Sequence, residues 1–202
     1  MTGILSKTKE KLTTKVVTSS SPSSIGSRGS SSSSSSGNGN SKNSPDRIIP
    51  PEPCQQHPDG EPEEDDSEPA LQAHNLARAN KNVRKLQWDP GLAHDAKTYA
   101  GVLASTGRMS HSDSTAGAGE NLYEATTAEA GLEDAVQSWL DEERKYGGEK
   151  VGEGNLEDWG HYSQCLWAST THVGMGKATS GKKTYIVARY SPRGNVEGGK
   201  PY

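Results

Sequence analysis

Four ionisable side chains have the types needed for chemistry. Two imidazoles and two carboxylates fall within a window of 51 residues, and two of the four directly follow a glycine; they are His111, Glu120, Glu142 and His161. Imidazoles and carboxylates bind zinc and other divalent ions, and the same groups can act as general acids and bases. The set therefore predicts a metal site or an acid–base site, provided that the fold brings these side chains together.

Charge and apolar content divide the chain into an arm and a domain. Residues 1–48 carry seven Lys or Arg and two acidic residues, whereas residues 49–69 carry eight acidic residues and no Lys or Arg. A serine run fills residues 30–36, and all four tryptophans lie beyond residue 87. A segment of the arm's composition buries too little apolar surface to offset chain entropy. We therefore predict a disordered Ser-rich, then acidic Pro-rich arm over residues 1–66 and one folded domain over residues 67–202.

Sequence signals for helices begin directly after the arm. Ser-Glu-Pro at residues 67–69 predicts a first helix, and Asp-Pro at residues 89–90 predicts a second helix that ends at Gly107. Thr-Thr-Ala-Glu at residues 126–129 fits a capping box, which predicts a third helix that ends before the glycine pair at residues 147–148. These helices supply the apolar stripes of a core.

Strand signals dominate the C-terminal third. Residues 172–177 and 184–190 read as two strands, and Ser-Gly-Lys at 180–182 joins them as a hairpin. The Gly- and Glu-rich residues 147–160 predict a surface loop. Helices combined with a mostly antiparallel sheet indicate an α+β layered domain.

Charge, targeting signals and cysteines bear on partners and compartment. The domain is near neutral and has no aromatic-basic pattern, so we expect no nucleic-acid partner. An anionic lipid or membrane surface stays open as a partner, because four lysines of the arm lie within residues 7–15; a homodimer also stays open. No secretory signal is visible, and residue 2 is Thr rather than the Gly of a myristoylation motif. Cys54 and Cys165 are expected to be free thiols in a reducing compartment.

Four segments resemble the signature segments of a known family, in the same order along the chain; they are His74–Arg78, Gly119–Leu122, Gly160–Trp167 and Tyr185–Asn195. The family is the CAP superfamily of cysteine-rich secretory, antigen 5 and plant pathogenesis-related class 1 proteins. The resemblance covers about residues 67–200. It implies a three-layer α-β-α sandwich of the CAP type with a central cleft. It also implies structural roles for a further set of motif residues, namely His74, Asn75, Arg78, Asn121, Trp167 and Asn195.

By motif position, the resemblance places two histidines and two glutamates in that cleft. His111 and His161 would hold zinc or another divalent cation, and Glu120 and Glu142 would orient the imidazoles or act beside them. Glu142 has acidic neighbours on both sides, so a shift of one residue would put Asp141 or Glu143 in its place. Cys165 is expected to be a buried thiol rather than a nucleophile.

Among CAP proteins, the chain looks most like the intracellular, Golgi-associated branch, because the domain holds a single cysteine. We predict a non-enzymatic CAP domain that binds a divalent metal, a lipid or both at the His/Glu cleft. The predicted location is cytoplasmic and peripheral to the Golgi or other endomembranes. A metal-dependent hydrolase or protease is one alternative, although no nucleophile is specified. An extracellular defence-type or sterol-binding protein is the other.

Overall fold

A computed structural model describes residues 65–202, so the predicted arm lies outside the described residues apart from Asp65 and Asp66. The helices are α1 (Ser67–Asn80), α2 (Pro90–Thr106), α3 (Leu132–Leu140) and α4 (Gly160–Cys165). The strands are β1 (Gln87–Trp88), β2 (Gly119–Ala125), β3 (His172–Ser180) and β4 (Lys183–Ser191). They form one sheet in the order β1-β3-β4-β2, in which only the β1–β3 pair is parallel.

The helices cover both faces of this sheet. Side chains alternate along a strand, so neighbouring residues of β4 face opposite layers. Tyr185 and Val187 pack with Leu122 against α2, whereas Ile186 and Ala188 pack against α1, α3 and α4. This arrangement confirms the predicted α+β class and the three-layer sandwich with a mostly antiparallel central sheet.

Two glycines of β3 let α2 lie directly on the sheet. A Cβ at Gly174 would lie 2.2 Å from the backbone nitrogen of Ala93, and one at Gly176 would lie 2.3 Å from that of Lys97. Neither distance is compatible with a side chain, because both neighbours are backbone atoms of a packed helix. The helix that precedes the His111 loop is therefore fixed against β3 at close range.

Helix α1 begins, and helix α2 begins and ends, where the sequence signals predict. The carboxylate of Asp89 accepts the backbone N–H of Leu92 at 3.0 Å, and Gly107 closes α2 in the left-handed conformation with φ of 65°. A glycine adopts this conformation without a Cβ penalty. Both ends of α2 are thus set locally.

The predicted start of the third helix is wrong. Helix α3 begins at Leu132, and the carboxylate of Asp134 accepts the N–H of Gly131 at 2.9 Å. Thr127 instead ties the chain to β4, because its carbonyl accepts the hydroxyl of Thr184 at 2.8 Å. Residues 126–131 must leave the sheet before a helix can begin. The α-helix ends at Leu140 and continues as a 3₁₀ helix over Asp141–Lys145.

The segment predicted as a surface loop, residues 147–160, is partly core. Val151 and Trp159 are buried and pack with Trp167 in a small separate cluster. A 3₁₀ turn at Leu156–Asp158 leads into α4, a helix that the sequence patterns did not reveal. Within residues 65–202, no helix combines the length and apolar character that a membrane span requires.

Candidate functional site

His161 and Glu142 form one buried pair. The Nδ1 of His161 lies 2.8 Å from Oε1 of Glu142, and the other carboxylate oxygen accepts the backbone N–H groups of His161 and Tyr162 at 3.0 and 3.1 Å. These amides belong to the first turn of α4, where N–H groups have no partner within the helix. The ring of Trp139 stacks on the imidazole at 6.0 Å between centroids. The pair is therefore fixed by its own hydrogen bond, by the two backbone N–H groups and by the indole ring.

His111 and Glu120 form a second pair of the same design. The Nδ1 of His111 lies 2.5 Å from Oε1 of Glu120, and the same oxygen accepts the backbone N–H of Ser112 at 3.1 Å. The Glu120 side chain is only 3% exposed, and that of His111 is 12% exposed. In both pairs a glutamate thus bridges the histidine ring and the backbone N–H of the following residue.

This shared design sets the tautomer of both imidazoles. A carboxylate can only accept, so in the neutral form of each imidazole the proton is on Nδ1 and the lone pair is on Nε2. The Nε2 of His161 is buried and has no hydrogen-bond partner in the part of the chain that the structure describes. A lone pair held in this way is the ordinary condition of a metal-binding imidazole.

Arg189 distinguishes the second pair from the first. Arg189 lies opposite Glu120 in the pairing of β2 with β4. Its Nη1 lies 3.0 Å from Oε2 of Glu120 and donates to the hydroxyl of Ser112 at 3.1 Å. The contact with Oε2 is an ion pair without the alignment of a hydrogen bond. Glu120 is therefore paired with a buried cation, whereas among the described residues the second oxygen of Glu142 accepts from backbone N–H groups alone.

The neighbours of Glu142 do not take part. Glu143 points to the surface, where it pairs with Lys81 at 2.7 Å and is 55% exposed, and Asp141 is exposed. Only Glu142 reaches His161. The 3₁₀ geometry of residues 141–145 turns a single acidic side chain of this run inwards.

Both pairs lie beside the start of β2. Glu120 belongs to this strand, and the side chain of the next residue, Asn121, donates to the backbone oxygen of His161 at 3.1 Å. No three His, Cys, Asp or Glu side chains within residues 65–202 are arranged as a metal-binding group. Two imidazole donors are therefore the most that these four side chains offer as first ligands, and the glutamates are already engaged with the Nδ1 atoms.

A buried polar network stands behind the site. His74 is fully buried; its Nδ1–H donates to the carbonyl of Ala70 and its Nε2 accepts the hydroxyl of Tyr190, both at 2.9 Å. That hydroxyl also accepts from Asn121 at 3.3 Å and lies 3.4 Å from the sulfur of Cys165. Burial lowers the pKa of His74 to about 4 and raises the pKa of Cys165 to about 12. Cys165 is thus a buried neutral thiol, as predicted, and not a nucleophile.

The remaining motif residues make backbone contacts. Asn75 exchanges two hydrogen bonds with the backbone of Leu86, at 2.7 and 3.1 Å. The buried guanidinium of Arg78 donates to four carbonyls, those of Arg84, Cys165, Trp167 and Thr170. Asn195, at φ of 51°, donates to the carbonyl of Gly160 at 2.8 Å and accepts the hydroxyl of Ser163 at 2.6 Å. They hold α1, α4 and the last turn together.

Close packing accounts for two further residues of the motif segments, Trp167 and Gly119. Trp167 is 6% exposed and fills the space beside Gly194. A Cβ at Gly119 would lie 2.1 Å from Oε1 of Gln164, an atom that already accepts the N–H of Gly194 at 2.9 Å. Glycine therefore precedes Glu120 because α4 passes against the start of β2.

Arg189 and Trp139 are site residues that the sequence analysis did not assign. A signal for Arg189 was present, because it is a single charge within the otherwise apolar and aromatic run at residues 185–190. A buried charge is retained only with a partner. The partner itself follows from strand register, which the sequence does not specify. Trp139 offers no such signal, because a tryptophan on a helix is most often a core residue.

Comparison with known proteins gives the family of the chain. Residues 71–190 match the family model described as "CAP: Cysteine-rich secretory protein family". Pathogenesis-related protein 1B of Nicotiana tabacum is 35% identical over 133 residues, which cover 65% of this chain and 78% of that protein. Golgi-associated plant pathogenesis-related protein 1 of Homo sapiens is 36% identical over 129 residues, which cover 62% of this chain and 82% of that protein.

Solved structures share the fold. NaASP2, crystallised with Zn²⁺, superposes with a TM-score of 0.60 at 22% identity, over 67% of this chain and 83% of that one. Venom allergen-like protein 4 of Schistosoma mansoni superposes with a TM-score of 0.54 at 25% identity, over 68% of this chain and 94% of that one. Together with the sequence matches, these similarities show that the chain belongs to the CAP family of cysteine-rich secretory proteins.

Proposed function

We propose that the domain binds a divalent transition-metal ion, for which zinc is the probe, through the Nε2 atoms of His111 and His161. The observation that carries the proposal is the buried Nε2 of His161, which has no hydrogen-bond partner among residues 65–202, in a ring that Glu142 fixes through the other nitrogen. His111 is oriented by Glu120 in the same way. A carboxylate that accepts from Nδ1 raises the basicity of the imidazole and fixes its ring, which strengthens metal binding.

The donor set suits zinc. Neutral imidazoles are common zinc ligands, and two of them leave two of the usual four positions to water or another ligand. A bound divalent ion would supply Lewis acidity at these positions. The similar protein NaASP2 was crystallised with Zn²⁺, which is compatible with the proposal.

Zinc titration by calorimetry tests the proposal. The full chain is compared with a His111→Ala/His161→Ala double variant and with a matched His94→Ala/His172→Ala variant, whose histidines belong to neither pair. We expect the first variant to lose at least tenfold in affinity and the second to match the wild type. Equal affinities of wild type and first variant would rule the site out.

The two glutamates provide a second test of the same site. Glutamine at position 120 or 142 keeps a hydrogen-bonding side chain but removes the carboxylate that accepts from Nδ1. Changes of this kind cost about 10- to 100-fold in metal affinity. We expect Glu142→Gln to fall within this range, and an unchanged affinity would show that the ring orientation does not matter.

We also propose that the protein is peripheral to an internal membrane, with anionic lipid as its partner. Support comes from the similar human protein whose name describes it as Golgi-associated, and from the lysines of the arm. Co-sedimentation with vesicles of phosphatidylcholine and phosphatidylserine, with and without residues 1–66, tests this. Loss of binding on removal of the arm is the expected result; equal sedimentation with neutral vesicles would contradict it.

A further inference from the structure

His111 differs from His161 in that it lies in a loop. The loop joins α2 to β2 and comprises residues 107–118. His161, by contrast, lies in the first turn of α4, and its side chain is only 3% exposed. A metal ligand must be held in one position by the groups around it. The ring of His111 therefore meets this requirement only if other contacts fix the loop.

The residues on both sides of His111 are each bound by a side chain from a neighbouring element. On the N-terminal side, the hydroxyl of Tyr99 in α2 donates to the carbonyl of Ser110 at 2.6 Å. On the C-terminal side, the hydroxyl of Ser112 accepts from Nη1 of Arg189 in β4 at 3.1 Å. The backbone is thus tied down directly before and directly after the histidine.

Tyr99 and Arg189 also contact one another. The guanidinium carbon lies 5.3 Å from the centre of the tyrosine ring, within the range of a cation–π interaction. Arg189 is 5% exposed and Tyr99 is half-buried, so the contact is largely shielded from water. The same guanidinium lies 3.0 Å from Oε2 of Glu120, the glutamate that orients His111. One pair of side chains therefore links both sides of the loop to this glutamate.

Both side chains belong to elements that are fixed in the fold. Strand β4 lies inside the sheet between β3 and β2, and α2 lies on β3 at Gly174 and Gly176, where no Cβ could be accommodated. Contacts from such elements can order a loop before a metal binds, which removes the cost of ordering it on binding. We propose that Tyr99 and Arg189 are positioning residues of the metal site, which fix the loop so that the Nε2 of His111 is in place for the ion. This inference rests on the proposed metal binding, but the position of the ring can be tested without a metal.

The tautomers of the two imidazoles report how each ring is held. Long-range ¹H–¹⁵N correlation spectra of the ¹⁵N-labelled full chain distinguish a proton on Nδ1 from one on Nε2 at alkaline pH, where the rings are neutral. We expect the Nδ1–H form of both rings in the wild type. Tyr99→Leu removes the hydroxyl and the aromatic face, and an imidazole released from Glu120 can carry its proton on either nitrogen. We expect a mixture of tautomers at His111 and no change at His161.

Two further variants separate this role from a general loss of structure. Tyr99→Phe loses only the hydroxyl, so its effect on His111 should be smaller than that of Tyr99→Leu; an equal effect would rule out the ring contact. Tyr146→Phe is the matched control, because the hydroxyl of Tyr146 also donates to a backbone carbonyl, that of Glu149, at 3.0 Å. It should leave both histidines unchanged. An unchanged tautomer of His111 in Tyr99→Leu, or an equal change at His161, would overturn the proposal.

Zinc titration of the same proteins keeps the positioning role distinct from the metal proposal. Arg189→Lys retains a positive charge beside Glu120 but loses the planar guanidinium that lies over the Tyr99 ring. We expect Tyr99→Leu and Arg189→Lys each to weaken zinc binding about tenfold. Wild-type zinc affinity in both variants would refute the positioning role alone. A wild type that binds no zinc would refute the proposed function, and the tautomers would then decide the positioning role by themselves.

Discussion

The buried imidazole of His74 makes the stability of the domain depend on pH. Burial lowers its pKa from the ordinary 6.5 to about 4, despite the hydrogen bond to Ala70, and the nearby cation of Arg78 acts in the same direction. The unfolded chain therefore takes up a proton at a higher pH than the folded chain. The stabilisation from His74 is complete above pH 6.5 and is lost as the pH falls through 6.5 towards 4.

The magnitude follows from the two pKa values. Each unit of difference corresponds to about 1.4 kcal/mol, so the loss amounts to about 2 kcal/mol between pH 7 and pH 5 and about 3 kcal/mol once the pH falls below 4. The hydrogen bonds of His74 agree with a lowered pKa. Protonation would place an N–H on Nε2, the atom that accepts the hydroxyl of Tyr190 in the neutral ring.

Urea unfolding of wild type and His74→Gln, followed by tryptophan fluorescence at pH 7 and pH 5, measures the effect. The free energy of unfolding should fall by about 2 kcal/mol more in the wild type than in the variant, whatever the cost of the substitution at pH 7. His94→Gln, at an exposed position of α2, serves as the control and should behave as wild type. Equal decreases in wild type and His74→Gln would refute the reasoning.

Three further substitutions test the packing around the site by thermal and urea unfolding. Arg78→Met removes a donor from four carbonyls, of which that of Trp167 keeps the N–H of Thr170, and should cost about 3–5 kcal/mol; a loss below about 1 kcal/mol would contradict the role assigned to Arg78. Tyr190→Phe removes the hydroxyl that serves His74 and should cost about 1–3 kcal/mol; an unchanged midpoint would contradict this. Gly174→Ala forces a Cβ against the backbone of Ala93 and should cost at least about 1–3 kcal/mol; a neutral result would show that α2 can move away.

Local signals predicted the parts of the fold that depend on neighbouring residues. Helix α2 has its N-cap at Asp89 and its glycine at 107 because both ends are satisfied within one turn. The start of α3 could not be predicted in this way. Thr126 and Glu129 have the spacing of a capping box, but β2 pairs with β4 up to Ala125, and the chain that follows is held to β4 where the carbonyl of Thr127 accepts the hydroxyl of Thr184. A tertiary contact thus outweighs a local propensity.

In the candidate site, too, some features follow from local sequence and others from tertiary contacts. The motifs identified the four His and Glu positions, and the structure groups them as two separate pairs, which residue types alone do not specify. Arg189 enters through the register of β4 against β2. Helix α4 was not predicted, because its six residues include glycine and serine and have no apolar period. Its backbone contacts with Glu142, and the contact of its own Gln164 with Gly194, involve residues distant in sequence.

Trp139 has a consequence for self-association. In the part of the chain that the structure describes, β2 pairs with β4 alone, so its other side is an edge to which a foreign strand could add. The indole N–H of Trp139 donates to the carbonyl of Leu122 at 3.2 Å, in the middle of this strand. An incoming strand would have to displace that indole, which also stacks on His161. The side chain that orders the imidazole therefore protects the sheet from edge-to-edge aggregation.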